Sequence, residues 1–269
     1  MTTAARVFVT GSTDGLGHLA ARALMNGGHE VVVHARNADR LKTVRDLIDQ
    51  GAAAVVGDLS DQQQTREVAK QVNQLGRMDA VIHNAGIMSG PNVMSVNVVA
   101  PYLLTALIDR PERLVYLSSS LHQSGRADLT AIDPNNQEGN VSYSDSKLLV
   151  TTLAAAVARR WPGTLTNAVD PGWVPTKMGG ASATDDIDLG YRTQVWLATS
   201  NAPEALTSGG YWYHQHRTDP ARATNDESFQ DQLLEELAHL TDERLADSDP
   251  PRPAPADPAD TSQTRRSAR

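Results

Sequence analysis

Thr10-Gly11-Ser12-Thr13-Asp14-Gly15-Leu16-Gly17 joins a short apolar run, Val7–Thr10, to a stretch with helical spacing, Leu16–Asn26. Its three glycines have different uses. Gly11 permits a tight turn, Gly15 lets a pyrophosphate approach the backbone, and Gly17 lets the helix pack closely on the strand. The start of a helix offers unpaired N–H groups and a positive dipole end, which together attract an anion. A glycine-rich stretch alone is a weak signal. Placed after a strand, at the opening of a helix and at the start of a βαβ unit, it reads as a dinucleotide phosphate loop.

Outward from this loop the alternation persists. Strands are expected at Val31–Ala35, Ala53–Val56, Ala80–His83, Leu114–Leu117, Leu165–Val169 and Gly210–Tyr213. Helices are expected at Asp39–Asp49, Ser60–Leu75 (with Ser60 as N-cap), Val93–Ile108, Ser142–Arg160, Ile187–Ala198 and Ser228–Leu240. Continuous apolar runs mark buried parallel strands. Their alternation with helices implies one parallel sheet of about seven strands with helices on both faces. Residues 1–246 form the expected single domain. The segment 247–269 holds five of the 14 prolines and almost no large apolar side chain, so it reads as a disordered tail.

Bulk properties exclude several functions. A net charge of −8 disfavours binding to nucleic acid or to anionic membranes, which need clustered Lys and Arg. The absence of cysteine removes disulfides, thiolate-bound zinc and a thiol nucleophile. No apolar run approaches the ~20 residues of a membrane helix. Met1–Arg6 has no charged-then-apolar signal pattern, and the expectation is a soluble cytoplasmic protein.

The Gly-x3-Gly-x-Gly spacing resembles the TGxxxGxG signature of the short-chain dehydrogenases/reductases. Further motifs follow in that family's order between Val7 and His214: Asp58-Leu59, Asn84-Ala85-Gly86, Leu117-Ser118-Ser119-Ser120, Tyr143-x3-Lys147 and Asp170-Pro171-Gly172-Trp173-Val174-Pro175-Thr176. The resemblance implies a Rossmann-like, doubly wound α/β fold and hydride transfer between a nicotinamide cofactor and a small carbonyl or alcohol substrate. It implies cofactor contacts from Gly11, Ser12, Thr13, Asp14, Gly15, Leu16, Gly17, Asp58, Leu59, Asn84, Ala85, Gly86, Tyr143, Lys147, Pro171, Gly172, Val174 and Thr176. Asp58 would meet the adenine amino group, and the Pro-Gly motif the nicotinamide. Lys177–Gly190 would form a lid hinged at Gly179-Gly180, with Asp185 or Asp186 capping the next helix. A homodimer or homotetramer is usual for the family.

Cofactor choice is read at the second strand's end. Ala35 stands where an NAD enzyme usually has a carboxylate for the ribose 2′-OH, and Arg36 offers a planar donor fork for a 2′-phosphate. The reading is NADP (NADPH/NADP+).

Tyr143 and Lys147 lie four apart, hence on one helix face. A phenol with a reference pKa of ~10 needs ~4 kcal/mol of preference for its anion to titrate three units lower. One cation ~4 Å away at an effective dielectric of ~20 supplies about that much. Tyr143 is thus the expected general acid/base, and Lys147 the group that lowers its pKa. By resemblance, Ser119 polarises the substrate oxygen, with Ser118 and Ser120 as alternatives, and Asn97 holds a water in the proton relay. Only 12 residues separate Asn84 from Asn97, a trimmed segment marked by Gly90-Pro91; a kink before Pro101 is the other use of Asn97.

Other features read as structural. His214-Gln215-His216 has no evident third ligand, so no metal site is expected. His122 reads as a loop residue, Tyr211-Trp212-Tyr213 and Trp196 as core and subunit contact, and Asp185, Asp186 and Asp188 as solvated charges. A nucleotide-sugar epimerase or dehydratase would open with Gly-x2-Gly-x2-Gly. A non-catalytic NADP(H) sensor would lack the tyrosine or the lysine.

Overall fold

The structure, a computed structural model, describes residues 4–132 and 142–246. The expected tail at 247–269 and part of the Leu121–Asn140 loop lie outside the described residues. Strands β1 (Arg6–Val9), β2 (Glu30–Ala35), β3 (Ala53–Val56), β4 (Ala80–His83), β5 (Arg113–Leu117), β6 (Leu165–Asp170), β7 (Gly210–Tyr213) and β8 (His216–Thr218) form one sheet in the order β3-β2-β1-β4-β5-β6-β7-β8. The first seven pair in parallel, and β8 is antiparallel to β7.

Side chains alternate across the sheet, so each strand feeds two cores. Val7, Val9, Val31, Val33, Val115, Val169 and Trp212 pack toward α1 (Gly15–Asn26), α2 (Arg45–Asp49) and α6 (Ile187–Thr199). Phe8, Val32, Val81, Tyr116, Ala168 and Tyr211 face α3 (Gln62–Gln74), α4 (Ala100–Leu107), α5 (Tyr143–Arg160) and α7 (Glu227–Thr241). Strand order reverses between β1 and β4, which opens a crevice beyond their carboxyl ends where ligands of such sheets bind. Among the described residues, no helix is long and apolar enough to cross a membrane.

Four expectations need correction. The sheet has an eighth strand, because His214 and Gln215 adopt positive φ (47° and 63°) and form a two-residue hairpin turn. The second helix is not continuous. Residues Ala38–Val44 form a 3-10 turn before α2, held where Thr43 Oγ1 donates to the carbonyls of Thr13 and Arg40. Asp61, not Ser60, caps α3 by accepting from Gln64 N, since the Ser60 hydroxyl donates to Asp58 at 2.8 Å. The fourth helix begins as a π turn over Ser95–Val99, with Ala100 N reaching Ser95 O. Pro101 has no N–H to give the Asn97 carbonyl, which breaks the ordinary ladder there.

Candidate active site

The glycine-rich loop between β1 and α1 is held by its neighbours' polar groups. Gly11 has φ +63°, and a Cβ there would lie 2.9 Å from Ala85 Cα. A Cβ on Gly17 would meet Asn84 Nδ2 at 2.3 Å and Gly11 O at 2.6 Å. Asn84 Nδ2 donates to the Thr10 carbonyl at 2.9 Å, and Ala85 N donates to Thr10 Oγ1 at 2.9 Å. The glycine loop and the Asn84-Ala85-Gly86 turn are thus stitched into one floor. Ser12 is fully buried, and its Oγ accepts from His34 N at 2.7 Å. It supports the loop from below and does not line the crevice. His34 Nδ1 accepts from Gly11 N at 3.0 Å, which leaves Nε2 to donate to Gly57 O at 2.8 Å. Burial pushes the His34 imidazole's pKa down, consistent with this neutral tautomer.

Above this floor lies a cavity of about 390 Å³ lined by Gly11, Thr13, Asp14, Gly15, Leu16, Arg36, Asp58, Leu59, Asn84, Ala85, Gly86, Tyr143, Lys147 and Thr176, all named from the sequence. Its lining also includes Ser118, the alternative to Ser119, with Leu117 of the same motif, Ser60, and Lys177 and Met178 of the expected lid; His34, Ile87, Asn92 and Val96 line it without a site role expected from the sequence. Arg36 is exposed at the rim, and among the described residues it has no hydrogen bond or ion pair. Asp14 caps α1 by accepting from Gly15 N. Its charge at a helix start is answered by Lys177, which is hydrogen-bonded to it, and by Arg40 at 3.5 Å. The Lys177 contact, with the Gly15 N–H and Arg40, holds the Asp14 carboxyl below its usual range.

Helix α5 starts with a reciprocal capping box between Ser142 and Asp145. That cap sets Tyr143 and Lys147 on the helix face that meets the cavity. The Tyr143 hydroxyl lies 3.9 Å from Met178 Sδ, with the Ser119 hydroxyl beside it; Ser119 Oγ itself accepts from Leu121 N at 3.3 Å. Lys147 is buried, donates to Leu117 O at 2.7 Å, and has its Nζ 5.4 Å from the Tyr143 ring centre. The electrostatic balance differs from the expectation. Burial pushes Tyr143 up to about 12, against the opposing effect of the neighbouring Ser119 hydroxyl, and brings Lys147 down to about 8. In the chain alone, desolvation outweighs the neighbouring amine.

Among the three serines, Ser119 is the one whose hydroxyl lies beside Tyr143. Ser118 Oγ shares a 2.5 Å hydrogen bond with Thr151 Oγ1, and Ser120 is exposed. His122 is not a free loop residue. It is fully buried; Ala221 N donates to its Nε2 at 2.9 Å, so Nδ1 donates to Ser119 O at 2.8 Å. The imidazole therefore fixes the Ser119 backbone.

Asn97 lies behind the cavity. Its Oδ1 accepts from Ile87 N at 2.8 Å, and its Nδ2 donates to Ile87 O and to Ser146 Oγ, both at 2.9 Å. Both amide protons are engaged, so the side chain ties the loop after Gly86 to α5. The kink expected before Pro101 and this tie have one cause, the π turn.

Pro171, Gly172 and Val174 do not line the cavity. Asp170 Oδ1 accepts from Gly172 N at 3.0 Å and turns the chain, and the Val174 side chain is buried near Gly190. Lys177 and Met178 bring the following segment over the cavity, through Asp14 and Tyr143. Asp186 caps α6, whereas Asp185 is not merely solvated: it accepts from Trp173 N at 2.8 Å. Trp212 packs in the core at 5.2 Å from Trp196, while Tyr211 on the opposite face lies tilted against His122, ring centres 4.5 Å apart. His214 stacks on Tyr213 in the hairpin turn.

The family profile described as "short chain dehydrogenase" matches residues 5–110. The chain is 36% identical over 255 residues to "Short-chain dehydrogenase chyC" of Penicillium rubens, an alignment covering 90% of this chain and 99% of that protein. Solved structures share the fold. A protein of Mycobacterium paratuberculosis superposes with a TM-score of 0.74 at 24% identity, covering 90% of this chain and 95% of that one. A blue fluorescent protein from a metagenomic library, in complex with NADPH, gives 0.64 at 22% identity over 78% of this chain and 95% of its own.

Proposed function

This chain belongs to the short-chain dehydrogenase/reductase family of oxidoreductases, and on that premise we propose that it moves a hydride between NADP(H) and a carbonyl or alcohol substrate. The observation that carries the reading is that Tyr143 and buried Lys147 line one cavity, with the Ser119 hydroxyl beside the Tyr143 phenol, and that the same cavity is lined by the glycine loop and Arg36. The residues suit a dinucleotide phosphate. The Cβ positions of Gly11 and Gly17 are filled by neighbouring backbone or amide, which keeps the α1 N-terminus bare of side chains there. At the end of β2, Ala35 is fully buried and carries no charge to repel a 2′-phosphate, and Arg36 holds an unengaged guanidinium.

In this reading Gly11, Thr13, Gly15 and Leu16 hold the pyrophosphate, Asp58 and Leu59 flank the adenine, Arg36 takes the 2′-phosphate, and Lys147 holds the nicotinamide ribose. When bound, NADPH supplies the hydride to the carbonyl carbon. Ser119 and Tyr143 donate hydrogen bonds to the carbonyl oxygen, so developing negative charge there is stabilised. The Tyr143 hydroxyl gives its proton to that oxygen in reduction, and the phenolate takes a proton from the alcohol in oxidation. His122, through the Ser119 carbonyl, and Asn97, through Ser146, hold the two hydroxyl-bearing elements in place.

The cofactor choice is tested by kcat/KM for NADPH and NADH in the same chain. The expected result is a preference for NADPH that falls at least tenfold in Arg36→Ala, through KM. An NADH preference unchanged in that variant contradicts it.

A further inference from the structure

Asp170 ends β6 with 5% of its surface exposed. Its one hydrogen bond to the backbone, from Gly172 N at 3.0 Å, could be accepted equally by an asparagine oxygen. Burying a carboxylate is costly and raises its pKa, against the Gly172 N–H, and among the described residues Asp170 has no ion pair to offset that cost. The charge itself therefore calls for a use.

Asp170 follows Val169, which pairs with Leu117 across β5 and β6 and accepts from Ser118 N at 2.7 Å. Like Ala168, it leaves the sheet on the α5 side, beside the strand end whose Leu117 carbonyl holds Lys147. The groups around it come from four elements: Tyr211 and Tyr213 from β7, His122 from the turn after β5, His214 from the hairpin, and Tyr143 and Lys147 from α5. His122 is held neutral by its two hydrogen bonds. The Tyr211 hydroxyl is buried, turned toward the carboxylate and the Ser118 hydroxyl, and lacks a close hydrogen-bond partner. Lys147 has a carbonyl partner, Leu117 O, but no carboxylate partner of its own.

We propose that Asp170 is a positioning residue for the reaction, a buried counter-charge that keeps the Lys147 amine and the Tyr143 hydroxyl protonated together. The inference rests on the reading of Tyr143 and Lys147 as the proton-handling pair. Burial draws the Lys147 pKa down to about 8, and the Asp170 charge is what opposes that fall. The same charge disfavours a phenolate at Tyr143. Both effects hold protons in the site, so the empty enzyme is poised to donate one. That favours carbonyl reduction over alcohol oxidation near neutrality.

The chain has four lysines, Lys42, Lys70, Lys147 and Lys177, so their side-chain NMR signals can be followed one by one in the cofactor-free protein, with Lys147→Met assigning the buried one. In Asp170→Asn the Lys147 midpoint is expected about one pH unit lower, a tenfold larger neutral fraction at a given pH. Lys42 and Lys70 stay unchanged. The alkaline limb of the pH profile for NADPH-dependent reduction moves the same way. A Lys147 midpoint that is unchanged or higher overturns the proposal. If Asp170→Asn does not fold, Tyr211→Phe removes a polar hydroxyl beside the carboxylate that favours its charged form, and a smaller shift in the same direction is expected; no shift overturns the proposal. The NMR titration requires no turnover, so a chain that reduces no carbonyl contradicts the proposed function without deciding the role of Asp170.

Discussion

The Lys147 amine sits 5.4 Å from the centre of the Tyr143 ring while donating to Leu117 O at 2.7 Å. One helical turn of α5 sets this relationship. It does not by itself make the phenol acidic. The amine's proton is directed at a carbonyl, and burial raises Tyr143 to about 12. The site therefore holds a protonated acid, and added positive charge beside it would be needed to bring its titration toward neutrality.

Tyrosinate absorbance tests this directly. In the cofactor-free chain, the difference between wild type and Tyr143→Phe should appear only near the top of the accessible pH range. NADP+ should move it to lower pH. A midpoint near neutrality without cofactor would mean that the amine outweighs desolvation.

Gly17→Ala should damage the floor of the site. Its Cβ would stand 2.3 Å from Asn84 Nδ2 and 2.6 Å from Gly11 O, and Gly11 O is backbone that cannot rotate away. Overpacking of this kind costs about 1–3 kcal/mol. We expect weaker NADPH binding by tenfold or more in a fluorescence titration, together with a lower Tm.

Asn97→Ala should act through position. It removes three hydrogen bonds, two to Ile87 and one to Ser146 Oγ, each worth on the order of 1 kcal/mol. Denaturant unfolding should report roughly 3 kcal/mol of lost stability. If kcat falls with stability unchanged, the amide has a direct part in proton transfer instead.

Acid should destabilise the fold through its buried imidazoles. Burial lowers His83 to about 3 from the ordinary 6.5, and it lowers His34 and His122 as well. The unfolded chain then binds protons that the folded chain refuses. Stability contributed by neutral His83 is full above about 6.5 and is lost as pH falls from there toward 3. The slope reaches ~1.4 kcal/mol per pH unit for each such group. Tm should drop between pH 7 and pH 5, less steeply in His83→Gln.

Much of this was legible in the sequence because it depends on local pattern. The apolar runs at Val31–Ala35 and Ala80–His83 marked buried strands, and the glycine spacing located the turn between β1 and α1 that lines the cavity. Tyr143 and Lys147 share a face by helical geometry alone. What stayed hidden needed distant partners or neutral polar groups. Strand β8 is His216-Arg217-Thr218, with no apolar residue to mark it. Asp14 and Lys177 meet across 163 positions. The parts played by His34 and His122 depend on which backbone groups surround each ring. Ser12 and Val174 sit within motifs of which Thr13 and Thr176 line the cavity, and only the packing tells them apart. The π turn at Asn97 could be anticipated from Pro101, but its tie to Ser146 could not.

NADPH consumption with an aldehyde or ketone substrate, compared between wild type and Tyr143→Phe at equal cofactor occupancy, tests the central claim most directly. Loss of a positioned general acid should lower kcat by a factor of about 10² to 10⁴ while NADPH affinity stays within a few-fold. Undiminished turnover in Tyr143→Phe would contradict the account.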